Sequence, residues 1–258
     1  MKCFFTIYFL FLIGCGDIEK DSTPLVSFNF KRDIMIWEDN DLPVSLGVDH
    51  RFTDEDVDGL SEMIFEWEAA TNREFVNEFY FFKHTNLNSL EDYYYKDSQF
   101  GVHFADTPIF GVSETVVAVC QVFVEHDYDL NNKRVFKIKH GDIVLNDYFI
   151  DYNHGGGEDK FDLRTIFLHE FGHFIGLGHT PDGTMKSYMG PDYVNHSLDI
   201  EIENIAFENY NFENSREPTN YVRQDFNSVS VASKFSEKYL IKIFMKKNQD
   251  NCSVEQIN

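Results

Sequence analysis

His169-Glu170-Phe171-Gly172-His173-Phe174-Ile175-Gly176-Leu177-Gly178-His179 is the stretch that decides how this chain is built. On a helix, His169 and His173 are four residues apart and share a face. Two imidazole nitrogens there can reach one metal ion at about 2.0–2.1 Å. Glu170 lies one position round the helix, beside the metal rather than on it. From that place its carboxylate can take a proton from a water that the metal activates. Gly176 can adopt the left-handed conformation that ends a helix. The chain then turns, and His179 can return as the third ligand. Three neutral histidines leave a fourth position open, which marks a catalytic rather than a structural zinc site. A chance His-Glu-x-x-His is expected in about three of a hundred chains of this composition, and adding Gly176 and His179 lowers that to on the order of one in ten thousand. That rarity weighs against histidines that are merely buried or exposed.

Outward from this segment, strands and helices follow one another. Asp162 predicts a cap for a helix over about 163–175. Asn153 to Glu158 contains three glycines and reads as a flexible link into that helix. Upstream, Thr115 to Glu125 and Val135 to Asn146 are β-prone runs around the turn-rich Asp127 to Lys133, which predicts a hairpin. Phe100 to Phe104 and Glu74 to Lys83 read as strands, and Asn86 to Ser98 as an insertion loop. Thr53 with Asp56 three residues later forms a capping-box pattern. Leu60, Met63, Ile64, Trp67 and Ala70 recur at helical spacing, so a helix is predicted over about 54–71. Asp33 to Trp37, continuing toward Val48, predicts the first strand. Val231 to Lys247 predicts a helix with Lys234, Lys238 and Lys242 on one solvated face. The order indicates a mixed α/β domain without internal repeats.

The zinc segment resembles the long zinc-binding motif of the metzincin metallopeptidases. In that family a methionine in a tight turn lies beneath the metal, and Ser187-Tyr188-Met189-Gly190-Pro191-Asp192-Tyr193 fits it, with Met189 as the turn methionine. Met185 is a rival without the flanking Ser, Pro and Tyr. Thr180 after the third histidine is closest to the serine of matrixins. Pro191 and Tyr193 fit the matrixin form of the turn, where the segment walls the pocket for the residue after the cut. Astacins and serralysins place a metal-binding tyrosine where Pro191 stands. Trp67-Glu68 with Phe75, Gly141 to Asn146, and Leu198 to Tyr210 carry the resemblance more weakly over about residues 33–210. It implies a zincin-like fold: a twisted, mostly parallel sheet with an antiparallel edge strand, a zinc-binding active-site helix and a smaller C-terminal subdomain. It also implies an endopeptidase with one catalytic Zn2+, ligands His169, His173 and His179, and Glu170 as general base. An extended protein or peptide substrate would lie along an edge strand, for which Thr115–Glu125 is the candidate. The family's second, structural zinc finds no clear histidine set, since the spacing of His103, His126 and His140 is unpersuasive. The alternative is a non-catalytic, zinc-containing surface lipoprotein acting as a binding module; an intact Glu170 argues against it.

The remaining features concern placement and partners. Phe4 to Ile13 is an apolar run too short to anchor as a spanning helix. It ends in Leu12-Ile13-Gly14-Cys15, which resembles the lipobox of bacterial lipoprotein signal peptides. The expected organisation is a signal peptide over 1–14, a tether over 15–31, a metzincin-like catalytic domain over 32–212 and an extension of unknown role over 213–258. Lipid on Cys15 would hold an exported chain on a membrane surface, periplasmic or outermost. With so short a tether and Cys15 blocked, no cysteine-switch propeptide is expected. Cys120 and Cys252 remain, as one disulfide or two thiols. The formal net charge of −22 disfavours nucleic acid as a partner, and a monomer is expected. Ca2+ is possible but unsupported. Asp54 to Gly59 imitates a calcium loop but has Phe65 at the place that needs a glutamate. Asp127, Asp129 and Asn131 fit a solvated turn better. His154-Gly155-Gly156-Gly157 resembles a lipase oxyanion loop, yet Gly111-Val112-Ser113-Glu114-Thr115 lacks the second glycine of a Gly-x-Ser-x-Gly nucleophile.

Overall fold

The computed structural model describes residues 33–83, 99–105, 115–130, 133–211, 231–235 and 238–246, with 128–130 and 231–242 described by their backbone. Its elements are β1 (Asp33–Trp37), β2 (Val44–Asp49), α1 (Asp54–Thr71), β3 (Val76–Phe82), β4 (Phe100–Phe104), β5 (Val116–Leu130), β6 (Lys133–Leu145), β7 (Tyr152–Asn153), β8 (Phe161–Asp162), α2 (Leu163–Phe174), α3 (Ile200–Asn211), β9 (Val231–Phe235) and β10 (Lys238–Lys246). The insertion loop at 86–98, Cys15, Cys252 and the serine of the rejected nucleophile pattern lie outside the described residues. No described helix is long and apolar enough to cross a membrane.

The main sheet runs β3-β2-β4-β6-β5-β10-β9, with β1 beside the first half of β6. Pairings among β1, β2, β3, β4 and β6 are parallel, whereas β5 is antiparallel to both β6 and β10. The fold is therefore mixed α/β, as the element order implies, with the mostly parallel sheet that the resemblance implies. The predicted strand from Asp33 toward Val48 divides in two. A short 3-10 turn at Asp39–Asp41 interrupts it, and Pro43, which has no backbone N–H to give a ladder, precedes β2. The two halves then join different neighbours: β1 pairs with β6, and β2 lies between β3 and β4.

Local chemistry sets the helices. Thr53 accepts from the Asp56 amide at 3.2 Å, and Asp56 accepts from the Thr53 amide at 2.7 Å, so the capping box starts α1. Asp54 to Gly59, the calcium-loop imitation, is its first turn and a half. Asn72 ends it in the left-handed conformation at φ 55°. Leu60, Met63, Ile64 and Trp67 are buried toward the other helices. Thr53→Ala removes one cap and is expected to cost about 1 kcal/mol. A thermal melt lowered by about 2–4 °C is the check; an unchanged melt would contradict the capping account.

Helix α2 lies on β5 and β6, and α1 lies on α2 and α3. Three aromatic donors fasten it. The Trp67 indole donates to the Leu168 carbonyl at 2.9 Å, the Trp37 indole to the Phe174 carbonyl at 2.8 Å, and the Tyr210 hydroxyl to the Ile175 carbonyl at 2.8 Å. The last two satisfy carbonyls that a helix C-terminus leaves without an intrahelical partner. Gly172 permits the closest approach, because a side chain there would run into Met185 and Trp67.

Residues 231–235 and 238–246 correct the predicted helix. They form β9 and β10, an antiparallel pair, and β10 pairs along β5 from Lys238 opposite Glu125 to Lys246 opposite Val116. The four-residue lysine spacing suggested a helix, but Ile243 and Met245 are buried on one face of the sheet with Phe244 on the other. That is period-two burial, and pairing with β5 decides it over local spacing. β5, expected at an edge for a substrate, is flanked on both sides.

Candidate metal centre

Helix α2 carries the first two histidines. Asp162 starts it, accepting from the Thr165 amide at 2.8 Å. Burial pushes the Asp162 carboxyl up, but hydrogen bonds from Thr165, Gly155 and His196 outweigh this and hold it below its ordinary value. At the other end Gly176 takes φ 99°. The Leu177 amide reaches back to the Gly172 carbonyl at 2.9 Å, and the Gly176 amide to His173 at 2.9 Å. This is a Schellman turn, and it satisfies two terminal carbonyls while reversing the chain. A side chain on Gly176 would strike the Met35 carbonyl, so glycine is needed on two counts.

The turn delivers His179 to the pair on the helix. Nε2 of His173 lies 2.9 Å from Nε2 of His169 and 3.1 Å from Nε2 of His179. Nδ1 of His169 donates to the Thr184 carbonyl at 2.7 Å, and Nδ1 of His173 donates to the Leu177 carbonyl at 2.8 Å. A carbonyl accepts only, so both protons are fixed on Nδ1 and both Nε2 atoms present lone pairs. Lone pairs converging this closely need a cation between them. The spacings approach the ~3.3 Å separating two ligands of a tetrahedral ion with ~2.05 Å bonds. Burial lowers the proton affinity of all three rings, His173 to about 4. The neighbouring histidines lower His169 and His179 further, while the Thr184 and Leu177 carbonyls oppose the shift at His169 and His173. All three are thus neutral ligands at pH 7. They form the one group of three metal-ligating side chains among the described residues.

Glu170 is wholly buried, and neither carboxylate oxygen has a hydrogen-bond partner among the described residues. Burial pushes its carboxyl well above the usual range. The Cys120 backbone on β5 opposes this. Cys120 itself is a buried free thiol, pushed up by burial and then by the charges of Glu170 and Asp142.

Beyond His179 the chain is held in place. Thr184, whose carbonyl orients His169, gives its amide to Asp199 at 2.9 Å, and Asp199 also accepts from Ile202 at 3.2 Å in the first turn of α3. Both methionines are buried: Met185 lies over Gly172, and the Met189 amide donates to the Lys246 carbonyl at 2.8 Å. The Pro191 carbonyl accepts from Gly157 at 2.8 Å. The Tyr193 ring lies 3.5 Å from the Lys186 ammonium, and its hydroxyl accepts from Asn195 at 3.4 Å. The three-glycine loop is a fixed turn rather than a flexible link. Gly155, Gly156 and Gly157 all have positive φ, and their amides bond Asp162, Asn153 and Pro191.

Elsewhere, Asp142 holds His103 at 3.3 Å and His140 at 2.9 Å on its two oxygens, while the His126 ring lies against Phe136. Asp127, read as part of a solvated turn rather than a calcium site, pairs with Lys137 at 2.8 Å. Sequence reasoning missed Trp37, Thr184 and Asp199, which support the site from outside the motif. Of these only Asp199, just before α3, offered a local signal, as a cap.

A Schellman-turned helix and a returning third histidine define a zinc site of the zincin kind. A family model described as Peptidase_M10: Matrixin matches residues 61–206, more than half of the chain. The chain belongs to the matrixin family, and Zn2+ is the ion of its three-histidine site. Among solved structures it is similar to high choriolytic enzyme 1, a hatching enzyme zinc-protease from the medaka fish Oryzias latipes. That match has 15% identity and a TM-score of 0.24, and covers 56% of this chain and 50% of that one. The chain thus spans half the length of that protein. No curated protein sequence matches.

Proposed function

We propose that the chain is a zinc-dependent endopeptidase acting on extended protein substrates. The observation that carries this is Glu170: a buried carboxylate whose oxygens have no hydrogen-bond partner among the described residues, one residue from a zinc ligand. A purely structural three-histidine site has no use for it, and leaving such a group unpaired costs stability. Zinc supplies Lewis-acid polarisation of the scissile carbonyl and lowers the pKa of a water. Glu170 accepts the proton of that water and then delivers it to the nitrogen of the leaving amine. Its raised proton affinity suits a group that must take a proton and give it back. Nδ1 of His169 and of His173, bonded to Thr184 and Leu177, hold the ligand rings in orientation.

In this reading Met189 is the methionine of the turn beneath the metal, and Pro191 and Tyr193 wall the pocket for the residue after the cut. The Gly157–Pro191 bond and the Lys186 ammonium on Tyr193 support a rigid wall. The chain is exported and held on a bacterial membrane surface by lipid on Cys15, a reading that rests on Leu12-Ile13-Gly14-Cys15.

One observation favours the non-catalytic alternative: no zinc ligand is open to solvent. A peptide-library digest separates the two. Cleavage, however slow, is expected to vanish with a chelator and return with zinc. Metal analysis is expected to find about one zinc per chain, lost in His173→Ala. Cleavage that survives chelation undiminished would remove the zinc mechanism, and no cleavage under any condition would favour the binding module.

A further inference from the structure

The second half of β10 has two neighbours. On one side it is antiparallel to β5, with Ile243 opposite Cys120, Phe244 opposite Val119 and Met245 opposite Ala118. Its pairing with β9 covers only Lys238–Lys242. Past that point its free side meets the segment after the zinc turn. The Met189 amide donates to the Lys246 carbonyl at 2.8 Å, the Lys246 amide donates to the Ser187 carbonyl at 3.1 Å, and Tyr188 bridges Lys246 in parallel. A single extended strand thus fills the groove between β5 and the Ser187–Met189 segment, hydrogen-bonded to both walls.

Both walls of that groove belong to the surroundings of the zinc site. Helix α2 lies on β5. Ile243 is the cross-strand partner of Cys120, and Ile243 and Met245 are buried in the same apolar cluster as Cys120, Ala118 and Met189. His169, Glu170, His173 and His179 are each no more than 1% exposed. An open peptidase cleft needs its ligands and base within reach of a substrate carbonyl; this one has a strand of its own chain between β5 and the Ser187–Met189 segment.

We propose that β10 is an internal occupant of the substrate groove, so that the structure is the closed form and the β9–β10 pair must leave β5 before a peptide enters. The inference rests on the peptidase reading above and assigns its regulation. Backbone pairing makes the fit: an added strand takes its affinity from main-chain hydrogen bonds, so a substrate and β10 compete for the same amides of β5. Departure is topologically simple. β10 follows every element of the zinc site in the chain, and the pair stands at the margin of the sheet beyond β5. No parallel pairing among β1, β2, β3, β4 and β6 breaks when it goes. The side chains also report what the groove accepts: Ile243 and Met245, long apolar residues at alternate positions, face the core. A substrate with large apolar side chains at alternate positions is the expected class.

The test uses the full zinc-loaded chain in three forms. Ile243→Asp places a carboxylate where β10 is buried and expels the strand. Val119→Cys with Phe244→Cys cross-links β10 to β5 on the face away from Cys120 and the zinc. Each form is assayed for zinc loss to a chelator and for cleavage of a peptide library. Ile243→Asp is expected to lose zinc and to cleave at least ten-fold faster than the unaltered chain. The oxidised cross-linked chain is expected to be inactive and slow to lose zinc, and a phosphine reductant is expected to restore both rates to those of the unaltered chain. An Ile243→Asp chain that keeps its fold but stays within two-fold of the unaltered chain in both rates overturns the proposal. Should that variant not fold, the cross-linked chain decides alone: equal zinc loss and cleavage before and after reduction overturn it. Faster zinc loss without cleavage in any form leaves the occupied groove standing and removes the peptidase reading.

Discussion

Glu170→Ala is expected to lower peptide cleavage by about 10²–10⁴-fold while zinc stays bound. In the proposed mechanism Glu170 takes the proton of the water and returns it to the amine, so both halves of the reaction would lose their proton carrier. The ligands are untouched, because His169 and His173 are oriented through Nδ1 by Thr184 and Leu177 and not by Glu170. Folding is not expected to suffer, since the carboxylate makes no hydrogen bond among the described residues and its burial is a cost that alanine removes. Zinc content near one per chain, an undiminished melting temperature and the loss of cleavage form the expected set of results. The Ile243→Asp chain offers the widest range in which to read the loss. Cleavage at the unaltered rate would remove Glu170 from its role, whatever the zinc content.

Gly176→Ala is expected to destabilise the fold by roughly 3 kcal/mol and to loosen zinc binding. Two effects add. A left-handed residue with a Cβ costs about 1–2 kcal/mol, and here φ is 99°. The new Cβ would also meet the Met35 backbone, which cannot rotate aside as a side chain can. Gly157 supplies the control. It too has positive φ, at 80°, yet a Cβ there meets nothing within 4 Å. Gly157→Ala is therefore expected to cost only the conformational part, about 1 kcal/mol. Thermal melts of the two variants, with zinc titrations, separate collision from backbone strain. Equal melts would mean that the approach to Met35 is not what demands glycine at the turn.

Much of the site was legible because zinc chemistry fixes residue type and spacing at once. His169, His173 and His179 converge as a helix and a glycine turn require, and Thr53 and Asp162 cap the helices they precede. These features are local, so the information lies within a few residues. The misreading of 231–247 has the opposite origin. Nothing near Lys242 shows that β5, more than a hundred positions earlier, has amides to pair with it, and lysines every fourth residue point to the wrong period. The strand at Asp33 was read too long for a similar reason, because its two halves belong to different neighbours in the sheet. The triple-glycine loop looked flexible until Asp162 and Pro191 accepted its amides. Side chains that hold the site from afar, Trp37 and Asp199 above all, leave no pattern in the sequence around the motif.

The aromatic clasp on α2 has a consequence for the order of events when the protein is made. Trp37 precedes the helix carbonyl it holds by 137 positions, and Tyr210 follows its own by 35. A chain emerging from the ribosome carries all three histidines once residue 179 is out, but the last turn of the helix is not clasped from both sides until Tyr210 has arrived. Competence to take up zinc is therefore a late property of the nascent chain. Fragments that end soon after the motif are expected to acquire metal poorly.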